Sequence, residues 1–317
     1  MAEMTQNPCR TKFVGDMRDM ILSSADSIDF RLLKGAQVIL TEHYAPADGT
    51  IRVGGLWLVI DSCLYGELKL EGGQSFLSAG FRFQWSDDDG ETWTDLLNAT
   101  LFASHRREVS HQEAEKNVFS HGQLAVCYPG VPHPLTFAAA GQASLVSADG
   151  TVLATSPVGS GTVPYTTNCD PALLFPEHYQ DGAEIRFTCG GDTFRSLIDH
   201  SNYRDKQLLR FLNLYDAPEV LVAKVAAQVK PQWTEEIGTT YGEDRKYSVA
   251  AKDEYTVNSG LLVTSSEYLH WHDLLLSRRV EVLVGTEWLP VIVTKSNYVQ
   301  EMRSGSVANV FLTYRFA

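Results

Sequence analysis

Short stretches in which apolar and polar side chains alternate, separated by turn residues, recur along this chain of 317 residues. Phe81, Phe83 and Trp85 alternate with Arg82 and Gln84, which places the three aromatic residues on one face of a predicted strand. Strands at short spacing with Gly, Pro and Asp turns are typical of sandwiches and barrels. Alternating βαβ units, which indicate a doubly wound enzyme fold, are absent from the sequence. We therefore predict a mostly β chain of two or three β-sandwich or barrel-like modules with one or two short helices.

Residues 255–317 contain the clearest succession of elements, namely a strand, a short helix, a hairpin and a final strand. Ser265 or Ser266 is the predicted N-cap of the helix, because a serine side chain can accept a hydrogen bond from the first helical turn. The predicted apolar face of this helix has residues at helical spacing: Tyr268, Trp271, Leu274 and Leu275.

The predicted hairpin of this region joins strands 280–284 and 288–294 through a turn at 285–287. Because proline has no N–H to donate to a ladder, Pro290 predicts that the second strand lies at a sheet edge or is bulged. The last strand alternates most regularly, and its predicted apolar face has four residues: Val310, Leu312, Tyr314 and Phe316.

Turn residues separate further predicted strands, which are 37–42, 50–60, 92–97, 124–128, 143–146, 151–155, 185–189, 208–214, 219–229 and 246–257. Asp149-Gly150 predicts a tight hairpin between two of them, and Gly190-Gly191 predicts another turn. Apolar residues at helical spacing are present in 12–24, but the segment is too short to be assigned to a helix. Residues 105–121 are strongly polar and charged, which predicts an exposed loop or a solvated helix.

The domain organisation expected from these patterns is an N-terminal arm at 1–26, a β-rich domain at 27–130, a second β module or insertion at 131–205 and a C-terminal β domain with a short helix at 206–317. Whether 102–200 is a separate domain or an insertion stays open. The polar run 1–10 has no apolar stripe of its own. Two alternatives are equal for this run. It is held in place by a neighbouring subunit, or it is ordered without any neighbouring subunit.

Charge and hydropathy exclude several classes of partner. Lys and Arg number 26 against 39 Asp and Glu, for a formal net charge of −13, and no basic run stands out. Nucleic acid and anionic membrane surfaces are therefore not expected partners, because both are bound through clustered positive charge. No run approaches the roughly 20 apolar residues of a membrane span. No secretory signal is recognisable, so we expect the chain to be made in cytoplasm and to stay there or leave by lysis.

Cysteine and histidine spacing does not predict a metal site or a disulfide framework. The five cysteines are an odd number without a C-x-x-C pair, which predicts small buried side chains in a reducing compartment. On a helix, His270 and His272 point to nearly opposite sides and cannot chelate one ion. His105 and His111 do not have the one-turn spacing of a zincin helix. No cofactor and no catalytic residue are predicted.

The sharpest local motif is the segment 86–93, in which Ser86, Asp88, Gly90, Thr92 and Trp93 match the pattern S-x-D-x-G-x-T-W. This pattern resembles the Asp-box turn that is repeated in sialidase propellers, and only one copy is present here. Physically it is a hairpin turn in which carboxylates accept backbone N–H bonds. A structural turn is the favoured interpretation and a glycan-handling site is the alternative. A calcium site is a further alternative, although the EF-hand ligand spacing is not met.

Two parts of the chain resemble a known family. Residues 208–221, together with 255–260, 271–275, 290–298 and 310–317, resemble the C-terminal region of β-rich phage tail proteins of the distal-tail or baseplate kind. The resemblance covers about the last third of the chain and carries over no catalytic residue. It implies a structural virion protein that forms a ring, a hexamer by family implication, and that contacts other tail proteins such as the tail tube or the baseplate hub.

The sequence therefore predicts a non-enzymatic structural component of a phage tail, located in the virion. The alternative is a carbohydrate-binding or adhesin-like β-sandwich module, which the Asp-box motif and the tryptophans would serve. A third hypothesis, a glycoside hydrolase, requires two carboxylates that face each other across a cleft. Scattered acidic residues do not identify such a pair from the sequence.

Overall fold

The computed structural model describes residues 2–105, 116–161, 163–241, 243–262, 264–298 and 309–317. This part of the chain is mostly β, as predicted, with 22 strands in five sheets and three short α-helices. The helices are α1 (Leu56–Leu64), α2 (Pro171–Leu174) and α3 (Ser265–Leu276). The strands are β1 (Glu3–Gln6), β2 (Met20–Ser23), β3 (Ile28–Lys34), β4 (Gln37–Tyr44), β5 (Thr50–Val53), β6 (Gly72–Gly73), β7 (Ser78–Ser86), β8 (Thr94–Phe102), β9 (Leu124–Cys127), β10 (Pro134–Phe137), β11 (Gly141–Val146), β12 (Val152–Val158), β13 (Tyr165–Asn168), β14 (Glu184–Cys189), β15 (Asp192–Ile198), β16 (Gln207–Leu212), β17 (Pro218–Ala223), β18 (Val225–Thr240), β19 (Glu243–Asn258), β20 (Val280–Val284), β21 (Glu287–Ser296) and β22 (Phe311–Phe316).

The first hydrophobic core lies between the sheet β4-β3-β7-β8, the sheet β1-β2-β5 and helix α1. The alternation that predicted β7 is confirmed, because Phe81, Phe83 and Trp85 are buried in this core. The single strand predicted at 50–60 is wrong. Strand β5 ends at Val53, and Gly55, at φ 71°, then starts α1, whose buried residues recur every four positions.

The N-terminal residues pair within their own chain. Strand β1 runs antiparallel to β2, with Glu3 opposite Ser23. The Gln6 side chain donates to the backbone carbonyl of Asp19 at 2.8 Å. Polar residues 3–6 are therefore paired through the backbone within their own chain, which needs no apolar stripe, and docking on a neighbouring subunit stays a prediction.

The second core is enclosed by the sheet β12-β11-β14-β15-β9 and the smaller sheet β10-β13-β6. The hairpin predicted at Asp149-Gly150 is confirmed between β11 and β12, with Gly150 at φ 91°. The turn predicted at Gly190-Gly191 joins β14 to β15, and both glycines have positive φ. Strand β9 closes the larger sheet by pairing parallel to β15.

The third core lies between α3 and the seven-stranded sheet β17-β16-β20-β21-β22-β19-β18. Helix α3 is confirmed, but its N-cap is Thr264 and not Ser265 or Ser266. The Thr264 hydroxyl accepts from the N–H of Glu267 at 3.1 Å, and the Glu267 carboxylate accepts from the N–H of Thr264 at 3.2 Å. This reciprocal pair is a capping box.

Strand β21 is an internal strand, between β20 and β22, so the edge position predicted from Pro290 is wrong. The predicted bulge is present, as a register shift between Val293 and Lys295. Pro290 is tolerated because it lies one residue beyond Val291, whose pairing with Phe316 ends the β21–β22 ladder.

Strands β18 and β19 form a hairpin of two 16-residue strands, paired from Val225 and Asn258 to Thr240 and Glu243. Strand β22 pairs only with residues 255–258 of β19. Residues 230–240 and 243–254, hereafter the ribbon, therefore extend past the seven-stranded sheet as two paired strands. The one strand predicted at 219–229 is in fact the end of β17 and the start of β18. None of the helices in the described ranges is both long and apolar enough to cross a membrane.

Candidate functional site

The turn between β16 and β17, residues 213–217, is inserted into the first core although it belongs to the third sheet. Asn213 shapes the turn, because its side-chain oxygen accepts from the N–H groups of Tyr215 at 2.9 Å and Ala217 at 3.1 Å. The Tyr215 ring then packs against Phe13 and Phe119, with centroids 5.1 and 5.6 Å away. One buried turn thus joins the C-terminal sheet to the N-terminal core.

Asp216, at the tip of that turn, joins three parts of the chain through charge. Its carboxylate contacts His105 Nδ1 at 2.8 Å and Arg278 Nη2 at 2.5 Å. Arg278 also contacts Asp61 of α1 at 2.5 Å, and its guanidinium lies 4.7 Å from the centre of the Tyr65 ring. Burial of Arg278 opposes its charge, but Asp216 and Asp61 outweigh burial and raise its pKa.

A second buried charge pair, Glu219 with His270, lies on the other side of the same turn. Glu219 Oε2 is 2.7 Å from His270 Nδ1, while Oε1 accepts from Ser120 Oγ at 2.7 Å and Asn213 Nδ2 at 2.8 Å. Burial works against the imidazolium, yet the Glu219 carboxylate outweighs it and raises the pKa of His270 to about 9. His270 is therefore protonated at neutral pH, with Nε2 directed at the Leu124 carbonyl at 3.3 Å.

Two further ion pairs connect α3 to its surroundings. His121 Nδ1 lies 2.9 Å from Asp273 Oδ1, and both side chains are almost fully buried. Lys224 Nζ lies 3.6 Å from Glu267 and 5.7 Å from the centres of the Tyr128 and Tyr203 rings. Helix α3 thus has a polar buried side that its apolar spacing does not predict.

These groups surround a cavity of about 30 Å³, whose lining includes His133, Glu219, Lys224, Glu267 and His270. A cavity of this size holds about one water molecule. Burial lowers the pKa of His133 to about 4, and its Nε2 lies 2.8 Å from Ser196 Oγ. A neutral and a protonated histidine therefore line the same small cavity.

The hydrogen bonds around Glu219 and His270 hold these two charged side chains in place and do not activate a nucleophile. The Ser120 hydroxyl donates to a carboxylate, whereas a serine nucleophile shares its proton with an imidazole. Both nitrogens of His270 are engaged. Among the described residues, no three His, Cys, Asp or Glu side chains are grouped closely enough to bind a metal ion. The five cysteines are free thiols, three of them buried.

The prediction of an exposed segment at 105–121 is wrong where the structure describes it. Residues 106–115, which include His111, lie outside the described residues. His105 and His121 are both buried and paired with carboxylates. Their partners, Asp216 and Asp273, are 111 and 152 residues further along the chain, and no local pattern signals such pairs.

The structure brings the five residues of the Asp-box motif together in the turn between β7 and β8. Asp88 accepts from the N–H of Thr92 at 2.9 Å, and Gly90 N–H donates to Ser86 Oγ at 3.0 Å. Hydrogen bonds from Ser86 and Thr92 lower the pKa of Asp88 to about 2. Trp93 Nε1 donates to the Gly90 carbonyl at 2.9 Å, and the motif thus satisfies its own polar groups. Its proposed glycan role stays a prediction.

Comparison with known proteins does not assign this chain to a family. No protein-family model matches it, and no curated protein sequence matches it.

Proposed function

We propose that this chain is a structural protein of a bacteriophage tail, of the distal-tail or baseplate kind, and that its copies assemble into a ring. The observation that carries the proposal is the ribbon, which leaves the seven-stranded sheet as two paired strands. The resemblance of the last third of the sequence to phage tail proteins supports the same function.

A ribbon of this kind requires a partner for physical reasons. An isolated two-stranded hairpin is at best marginally stable in water, because it buries too little apolar surface. Val229, one residue before the ribbon, is 56% exposed, and Ile237, within the ribbon, is 58% exposed. Strand β18 also ends its sheet, so its outer edge has unpaired backbone groups within the described part of the chain. A protein surface that covers the ribbon would bury these apolar side chains and pair with the backbone groups of the outer edge.

Contacts elsewhere in the molecule fix the position of the sheet from which the ribbon extends. The turn at 213–217 and the ion pairs of Asp216 join the third sheet to the first core. A rigid body with one projecting element suits a head-to-tail contact, in which different surfaces of two copies meet. Such contacts close into a ring when a whole number of equal rotations between neighbouring copies adds up to a full turn.

The mass of the purified protein in solution tests this proposal. Light scattering at several protein concentrations and ionic strengths should give one closed oligomer, and negative-stain images should show its symmetry. A variant in which residues 232–252 are replaced by Asn-Gly should keep its β-rich circular dichroism and be monomeric. A monomeric wild-type protein that is also absent from the tails of phage particles in lysates that contain it would contradict the proposal.

The carbohydrate-binding alternative depends on an open aromatic ring at the Asp-box turn. Trp85 is buried, and the Arg31 guanidinium lies over the Trp93 ring at 4.0 Å from its centre. A glycan array tests the alternative directly. Binding that is lost in Trp93→Ala but kept in the ribbon-shortened variant would favour it over the tail protein.

A further inference from the structure

The tip of the ribbon presents a tyrosine in a conformation that bulky side chains disfavour. Tyr241 follows the last pair of the hairpin, Thr240 with Glu243, and it has φ 54°. The favoured two-residue hairpin turns need positive φ at this position, which Gly, Asn and Asp adopt readily and a bulky side chain adopts only at an energetic cost. The Tyr241 side chain is also fully exposed, so no contact in its own chain offsets this cost. Such a residue points to a function outside the chain.

The charges beside Tyr241 are acidic. Glu243 and Asp244 follow the turn, and Thr239 Oγ1 donates to Asp244 at 2.6 Å. Arg245 and Lys246 come next in the sequence, and Lys246 is paired with Glu235. The tip therefore combines an aromatic ring with two carboxylates.

A groove of complementary character lies at the base of the ribbon. Its cavity of about 320 Å³ is lined by three apolar side chains and by both kinds of charge: Tyr255, Ile292, Phe316, Lys252, Arg315 and Asp253. Ile292 is 46% exposed and Phe316 is 37% exposed, so the apolar wall faces solvent. The Tyr255 ring stacks on Tyr314 with centroids 5.5 Å apart, which keeps this wall rigid. The groove thus offers an aromatic surface next to two cations and one carboxylate.

The tip cannot reach the groove of its own chain. Glu243 and Tyr255 belong to one straight strand, and at about 3.3 Å per residue they lie roughly 40 Å apart. A tip that occupies this groove therefore comes from another molecule.

We propose that the ribbon tip of one copy docks in the groove of a second copy, with Tyr241 against Phe316 and Ile292. The carboxylates of the tip then face Lys252 and Arg315, a charge complementarity that selects this occupant. The proposal rests on the self-association proposed above, and it names the two surfaces that meet. Because tip and groove differ, the contact is head-to-tail in a ring, or reciprocal in a dimer.

The variant Tyr241→Asn tests the proposal without harm to the fold. Asn accepts φ 54°, so we expect the midpoint of thermal unfolding to be unchanged or higher. We expect self-association to weaken by about tenfold or more, because a buried aromatic anchor contributes strongly to an interface. The matched control is Val152→Asn, which removes an apolar side chain that is 54% exposed on β12. The control should associate like the wild type.

Cross-linking between two single variants identifies the contact itself. Tyr241→Cys and Ile292→Cys proteins, mixed in equal amounts and oxidised, should give a covalent dimer. A mixture of Tyr241→Cys with Val152→Cys, which shares the native thiols, should not. An oligomer that is unaffected by Tyr241→Asn and gives no 241–292 cross-link would overturn the proposal and leave the ring standing. A reciprocal dimer with the cross-link would support the proposal and overturn the ring. A wild-type protein that is monomeric at every concentration would overturn the docking of tip and groove, and its absence from phage tails as well would overturn the proposed function.

Discussion

At the scale of single residues, the protein is distinguished by buried carboxylates that are paired with imidazoles. His270 and Glu219, His121 and Asp273, and His105 and Asp216 each combine an imidazole with a carboxylate at 2.7 to 2.9 Å. A buried charge is costly unless a partner and hydrogen bonds compensate for it. The Glu219 carboxylate meets this requirement with Ser120 and Asn213 in addition to His270. Loss of one partner is therefore expected to be more damaging than exchange of an exposed side chain.

The stability of the protein should depend on pH through His270. Its folded pKa of about 9 lies above the unfolded value of 6.5, so its contribution is complete below pH 6.5 and is lost as pH rises through 9. The part of this loss between pH 6 and pH 8 corresponds to about 2 kcal/mol of unfolding free energy, and the cysteines whose pKa burial raises add their own dependence only at higher pH. Urea unfolding across that range measures the loss. His270→Gln should largely remove this dependence, whereas His272→Gln on the same helix should keep it. An unchanged pH profile in His270→Gln would refute the charged pair.

At the scale of secondary-structure elements, some features of α3 are set by residues close in sequence and others by tertiary packing. Its apolar face, with Trp271 and Leu274 buried, follows from helical spacing. The capping box at Thr264 also uses only local residues. Glu267 and His270 lie four residues before Trp271 and Leu274, so they belong to the same side of the helix. Together with Asp273 they are buried because other segments cover them. The buried side of the helix is thus wider and more polar than its apolar spacing predicts.

The position of the N-cap can be tested by alanine exchange. Thr264→Ala removes the hydroxyl that accepts from Glu267 N–H, and we expect it to lower the unfolding free energy by about 1 kcal/mol. Ser265→Ala, at the neighbouring exposed position, should change it by less than about 0.5 kcal/mol. Urea unfolding of both variants decides between them. A larger effect at Ser265 would return the N-cap to the position predicted from sequence.

At the scale of the whole molecule, the turn at 213–217 joins the first and third cores. Tyr215 is fully buried in the first core, while the strands on either side of the turn belong to the third sheet. The Asp216 pairs with His105 and Arg278 add charged links at the same place. We infer that the first and third cores lose their structure together.

Tyr215→Ala tests this coupling. Removal of a buried aromatic ring costs roughly 3–5 kcal/mol, because it leaves a cavity that the surroundings fill only in part. We expect amide hydrogen exchange to become faster in β7 of the first core and also in β16 of the third sheet. Tyr241→Ala, at the exposed ribbon tip, is the control and should leave both unchanged. Faster exchange in only one of the two strands would show that the cores open independently.

The sequence by itself determined the elements whose causes are local. The alternation at 81–85, the Asp149-Gly150 turn and the Asp-box turn depend on residues within a few positions of one another, so their geometry could be predicted. The predicted strand at 50–60 failed where Gly54-Gly55 ends the alternation and a four-residue spacing begins. Even there, the signal was local and was present in the sequence.

The tertiary structure alone decided which polar residues are buried and which strands remain uncovered. His121 meets Asp273 across 152 positions of the chain, so its burial cannot be deduced from the polar residues around it. The ribbon exists because β22 pairs with only four residues of β19, although both strands of the hairpin run for 16. Pairing partners and burial are set by contacts between distant segments, and a one-dimensional pattern does not contain them.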